Sequence, residues 1–199
     1  MNAQASEIHH PPVKDPNWTD RTMTEPRIVT ERIAHMKSKM PDLGVKLGLD
    51  DVAVDRLLAI ELDVISRPNV DPKTSLNEKI SSEFGSDIAQ KYEDYQYAQV
   101  GSSATSAVLS AFTDADVPLS KAQSEQLATL YATAFRDWNP VARAPDPQNI
   151  SMKDVLEQMN QIDRYIISSA NSFLTEQQVS VLQQTQDRAL KSKQAVLGL

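Results

Sequence analysis

Three groups of side chains carry the donor atoms or ring faces that chemistry needs. His9, His10 and Asp15 form the first. A metal centre takes three or four ligands held in fixed geometry. A His pair beside Pro11 and Pro12 in a polar tail has no element to hold it, so no metal site is assigned. His35, beside Met36, reads as a surface or partly buried histidine. The second group is acidic: Asp50, Asp51 and Asp55, followed by Glu61 and Asp63. Asp51 and Asp55 stand one helical turn apart, close enough to share a cation. The helix dipole alone also favours acids at a helix start, and a solvated face is the preferred reading. The third group is Tyr92-Glu93-Asp94-Tyr95-Gln96-Tyr97. Tyr92 and Tyr95 continue the stripe of Ile88 and are expected at the edge of a core, hydroxyls reaching solvent. Tyr97 points elsewhere, and tyrosine is enriched at protein interfaces. Tyr95, Tyr97, Asp51 and Asp55 are therefore the candidate partner-binding residues.

No local pattern sets a nucleophile beside a base. There is no cysteine, which excludes thiolate zinc sites, iron–sulfur ligation, disulfides and a cysteine nucleophile. The patterns G-x-S-x-G and H-E-x-x-H, a phosphate-binding loop and a dinucleotide fingerprint are all missing. Catalysis has no positive support; no catalytic residue and no cofactor is assigned.

The 199 residues carry 20 basic and 27 acidic side chains, a net charge of −7. Residues 41–100, with six basic and twelve acidic, hold −6 of it. Nucleic-acid binders leave a basic footprint, so an acidic chain argues against that class. No run approaches the roughly 18 apolar residues of a membrane span. Apolar residues recur with helical spacing throughout, and glycines number only five. These features predict an all-α fold, a bundle of five to seven helices. Residues 1–22 read as a flexible N-terminal tail in which Trp18 pins to the body. Residues 23–199 read as a single helical domain with a proline-rich loop at 139–149.

The spacing predicts a first helix from Glu25 to Met40, with Val29, Ile33, Met36 and Met40 on one face and Pro41 and Gly44 as its stop. A second starts at Asp50, carries Val54, Leu57, Leu58, Leu62 and Ile65, and stops at Arg67-Pro68-Asn69. A third opens at Asp71-Pro72 with Ile80, Phe84, Ile88, Tyr92 and Tyr95. Gly85 and Gly101 are its weak points, where a kink or break is expected. Beyond Gly101, small residues interleaved with Val108, Leu109 and Phe112 suit a close helix approach. A fourth helix carries Leu127, Leu130, Tyr131, Ala134 and Trp138. A fifth carries Val155, Met159, Ile162, Ile166, Ala170 and Phe173, and a sixth Val179, Leu182, Ala189 and Leu190. The short link between these last two predicts an antiparallel hairpin.

Helix starts are marked by caps at Asp50, Ser120, Ser151 and Thr175. Two of them share a form: Leu119-Ser120-Lys121-Ala122-Gln123 and Leu174-Thr175-Glu176-Gln177-Gln178. In each, the hydroxyl oxygen accepts the N–H of the glutamine three residues on, and the glutamine side chain reaches back to the cap's own N–H, a capping box. Leu174 with Val179 and Leu49 with Val54 are placed as hydrophobic staples; Leu119 faces Ser124 and is not. Asp50 keeps the preceding Leu49 but lacks the glutamine. Each cap contributes about 1 kcal/mol, and capping alone accounts for the pattern.

The L-T-x-x-Q form resembles the signature of the Spy/CpxP-like periplasmic stress proteins, small helical proteins that bind unfolded clients or a sensor partner. The matching residues are Leu174, Thr175 and Gln178, then Leu119, Ser120 and Gln123. This chain is longer and is acidic where that family is basic, so no client-binding surface is carried over. Across residues 47–197 it also resembles a group of uncharacterised proteobacterial proteins with an N-terminal membrane anchor and a periplasmic helical region. That resemblance runs through Leu47-Gly48-Leu49, Tyr92 to Gln96, Pro118-Leu119-Ser120 with Gln123, and Leu174 to Gln178. It implies a periplasmic location, with the cytoplasm as alternative, and an anchor upstream of the polar start Met1–Pro16. The resulting expectation is a non-enzymatic helical binding protein of the bacterial envelope, its partner an envelope protein or an unfolded client. The alternative is an acidic protein that binds a metal or small ligand.

Overall fold

A computed structural model describes residues 26–66, 72–137 and 151–197. Among them lie eight helices and no strand: α1 (Pro26–Lys39), α2 (Leu43–Leu47), α3 (Asp51–Ile65), α4 (Pro72–Phe84), α5 (Ser86–Asp114), α6 (Lys121–Asp137), α7 (Met152–Ala170) and α8 (Glu176–Leu197). The fold is all-α, and its helices outnumber the expected five to seven because the long third stretch divides and a short helix, α2, forms in the link after the first. Gly44 does not end the first helix. It sits inside the short α2, and the stop falls at Met40-Pro41. The long third helix breaks once, at Gly85, whose φ of 89° lies where side chains with a Cβ rarely go. No described helix is long and apolar enough to cross a membrane. The tail 1–22 with Trp18, the stop at Arg67–Asn69, Trp138 and the loop 139–149 lie outside the described residues.

Packing divides the chain into two compact units, Met1–Ile80 and Ser81–Leu199, with the division inside α4; the sequence pattern by itself predicts one domain over 23–199. In the first unit α1 and α2 pack on α3. Leu43, Leu47, Val54, Leu57, Leu58, Leu62 and Val64 are buried there. Ile65 departs from expectation at 60% exposed, while Val64 is 1% exposed. Burial at the end of α3 follows the Leu57–Val64 row, two turns apart, and leaves the last helical residue uncovered.

The second unit is a ring of four helices in which α5 packs on α6, α6 on α7, α7 on α8 and α8 back on α5. Leu127, Tyr131 and Ala134 of α6 meet Ile162, Ile166 and Ala170 of α7, with Val108, Phe112, Leu174, Val179 and Leu182 completing one core. The last two helices form the expected antiparallel hairpin. Lys193 in the last third of α8 lies 3.9 Å from Met159 in the first half of α7. Helix α5 runs unbroken through Gly101, which is buried. A Cβ built there would meet the carbonyl oxygen of Ala128 at 2.1 Å and the Cβ of Ala132 at 3.0 Å. Gly101 is thus a contact point between two backbones, not a kink. The buried row continues Gly101, Thr105, Val108 and Phe112, one residue off Leu109, which is 36% exposed.

Gly101→Ala should lower stability by roughly 2–4 kcal/mol, since the clash is with backbone and α5 must shift off α6. Urea denaturation followed by circular dichroism would read the change; a loss under about 0.5 kcal/mol would contradict the close approach.

Candidate functional site

Both capping boxes form as the sequence suggests. Ser120 Oγ accepts the Gln123 N–H at 3.2 Å, and Gln123 Oε1 accepts the Ser120 N–H at 2.9 Å. Thr175 Oγ1 accepts the Gln178 N–H at 3.3 Å, and Gln178 Oε1 accepts the Thr175 N–H at 3.0 Å. What the sequence did not show is that the two boxes meet. Gln123 Nε2 donates to Gln178 Oε1 at 2.9 Å and to the carbonyl of Phe173 at 3.1 Å. Gln178 Nε2 donates to the carbonyls of Pro118 at 3.1 Å and Val117 at 3.4 Å, and to Gln123 Oε1 at 3.4 Å. The arrangement is reciprocal: each glutamine caps its own helix and bonds the carbonyl two residues before the other's cap. Gln178 is 6% exposed, and with no partner its amide would cost about 1–3 kcal/mol. One signal was present in the sequence. Glutamate completes a box as well as glutamine, but only glutamine has an N–H left to give.

This junction ties the α5–α6 turn to the α7–α8 turn, and beside it opens a groove of about 640 Å³. Its walls are Ala122, Glu125, Gln126, Thr129, Leu130 and Thr133 of α6, Tyr165 of α7, and Ser172 and Phe173 of the turn. Leu130, Tyr165 and Phe173 are partly buried against the core and form its apolar floor. The rim is hydroxyls and amides. Its one carboxylate, Glu125, lies 3.8 Å from Lys121. No single stretch of sequence announced the groove, because its residues come from three elements.

The sequence-predicted binding residues divide between the two units, Tyr95 and Tyr97 in the second, Asp51 and Asp55 in the first. Tyr95 is 7% exposed and packs inside, which corrects its assignment to a partner surface: the stripe from Ile88 carries it fully under cover. Tyr97 is half-buried, with the Arg136 guanidinium 5.3 Å from its ring centre. Arg136 also pairs with Asp94 at 3.0 Å. Asp51 and Asp55 lie in the other unit, and Lys37 bridges them at 3.5 and 2.9 Å. The hydrogen bond to Asp55 raises the Lys37 pKa above its ordinary value. The cation these two acids share is therefore the chain's own. Asp50 caps α3 by accepting the Ala53 N–H at 2.8 Å. Ser151 accepts the Asp154 N–H at 3.1 Å and donates to the Asp154 carboxylate at 2.6 Å. Leu119, without a staple, is partly buried against the core. Among the described residues no three His, Asp or Glu side chains gather as metal ligands; His9, His10 and Asp15 lie outside them.

A second polar feature lies inside the ring. Gln186 of α8, 6% exposed, donates to the Tyr131 hydroxyl at 3.1 Å, and its Oε1 is without a partner. The buried row of α8 runs through Gln186, a residue outside the expected apolar stripe, while Ala189 of that stripe is exposed. Burial pushes the Tyr131 hydroxyl up to about 12, Gln186 pulling the other way and the Asp163 charge adding to the rise. Burial likewise raises the Asp163 carboxyl, which Lys193 offsets and Asp187 reinforces.

Comparison with protein-family models, curated proteins and solved structures finds no match for this chain.

The raised Asp163 pKa fixes a sign. The folded state holds this proton more tightly than the unfolded chain, so stability falls as pH rises from the ordinary value of 3.8 through the raised one. Asp163→Asn should therefore stabilise the fold at pH 7, with the gain vanishing as pH drops below the ordinary value. Denaturation midpoints of both proteins across that range test it; a destabilised variant at pH 7 would reverse the assignment.

Proposed function

We propose that the chain is a non-enzymatic helical binding protein whose contact surface is the groove between α6 and α7. The supporting observation is the groove itself: an apolar floor of Leu130, Tyr165 and Phe173 under a rim of Gln126, Thr129, Thr133 and Ser172. Its volume falls in the range of ligand clefts. Its one charged lining residue is Glu125, which has Lys121 3.8 Å away, and the other polar groups of the rim are neutral. It suits an uncharged peptide segment that inserts one aromatic or branched aliphatic side chain and hydrogen-bonds along the hydroxyls. The acidic stretch, which partners would read by charge, is not part of it. Placement in the bacterial envelope is supported by the two sequence resemblances alone, to the Spy/CpxP-like proteins and to the anchored proteobacterial group; fractionation of cells producing the native gene product should find it in the periplasm, and a cytoplasmic chain would end that part.

Indole, standing in for an inserted aromatic anchor, should bind with Kd of about 1 mM and shift NMR signals of Leu130, Tyr165 and Phe173. Thr129→Arg, at an exposed rim position, should weaken binding about tenfold, some 1.4 kcal/mol, without unfolding the chain. Absence of shifts at these three residues would refute the groove as the contact surface.

A further inference from the structure

The junction and the groove share residues, and this gives the paired glutamines a second task. Phe173 lies in the turn between α7 and α8 and forms part of the floor of the groove. Its carbonyl accepts the Gln123 amide across 50 residues of sequence at 3.1 Å. Ala122, next to Gln123, lines the same groove from α6. We infer that Gln123, held in turn by Gln178, is a positioning residue for the groove: it ties the turn that carries Phe173 to the α6 segment that carries Ala122 and so fixes the shape of the site for the inserted side chain. The role rests on the groove being the binding surface.

Gln123→Glu separates this role from helix capping. A glutamate still accepts the Ser120 N–H, so the box survives. It has no N–H for Phe173 or Gln178, and its carboxylate faces two oxygens that the amide had bonded. Ser120→Ala does the reverse, removing the cap hydroxyl and leaving the amide pair. Indole titrations followed by NMR should show Gln123→Glu binding about tenfold more weakly than wild type, with the Phe173 ring signals moved in the free protein. Ser120→Ala should bind like wild type despite a lower melting temperature. Lowering the pH through the ordinary glutamate range, about 4.3, returns an O–H donor to residue 123 and should recover binding in Gln123→Glu relative to wild type at each pH. If wild type binds indole and Gln123→Glu binds as tightly at neutral pH, the positioning role is refuted and the groove stands. The positioning role is likewise refuted if Gln123→Glu and Ser120→Ala weaken binding alike with no recovery in acid. If wild type gives no shifts in the groove, both readings fall.

Discussion

The second unit depends on the bond between two side-chain amides, Gln123 and Gln178. A four-helix ring needs its turns in register, and apolar packing alone is permissive about sliding one hairpin along another. A pair of amides that must each find donors and acceptors in a partly buried place is not permissive. Sliding α7–α8 by one turn would strand two N–H groups and the carbonyls of Phe173 and Pro118. Such a buried polar network specifies one arrangement because its partly satisfied versions are costly. The local caps are modest on their own, but joined they convert two helix starts into a tertiary lock.

Gly101 complements this from the middle of the bundle. There the constraint is steric: the carbonyl of Ala128 occupies the space a Cβ would need. The missing side chain lets α5 and α6 approach closely, and the row Gly101, Thr105, Val108, Phe112 points inward as a result. One glycine, Gly85, ends a helix because its φ is positive, and the other lets two helices touch. Sequence alone marks both as weak points, since it shows the residue and not its surroundings.

Charge was the other feature that changed meaning with structure. The acidic stretch holds −6 of the net −7, which on paper suggests an electrostatic surface. In the fold, Asp51 and Asp55 share Lys37, Asp63 meets Lys79, Asp87 meets Lys91, and Asp94 meets Arg136. Exposed pairs of this kind contribute at most about 1 kcal/mol each, so they matter little to stability. They do spread the negative charge among cations, and of the acidic residues of that stretch none lines the groove on α6 and α7.

Helices, caps and most of the buried stripe were legible in the sequence, because each depends on residues within a turn or two of one another. Val54, Leu58, Leu62, Ile162, Ile166 and Leu182 are buried as their spacing requires, and Asp50, Ser120, Ser151 and Thr175 cap as their chemistry allows. Tertiary structure decided what periodicity cannot carry: which half of a stripe is covered, as at Val64 against Ile65, and which polar residue is drawn inside, as at Gln186. It also decided which two boxes, 55 residues apart, would share their amides. Helical periodicity reports one face of one element, whereas the groove draws on three elements and the junction on two helix starts and the turns before them, and both exist only where those elements meet.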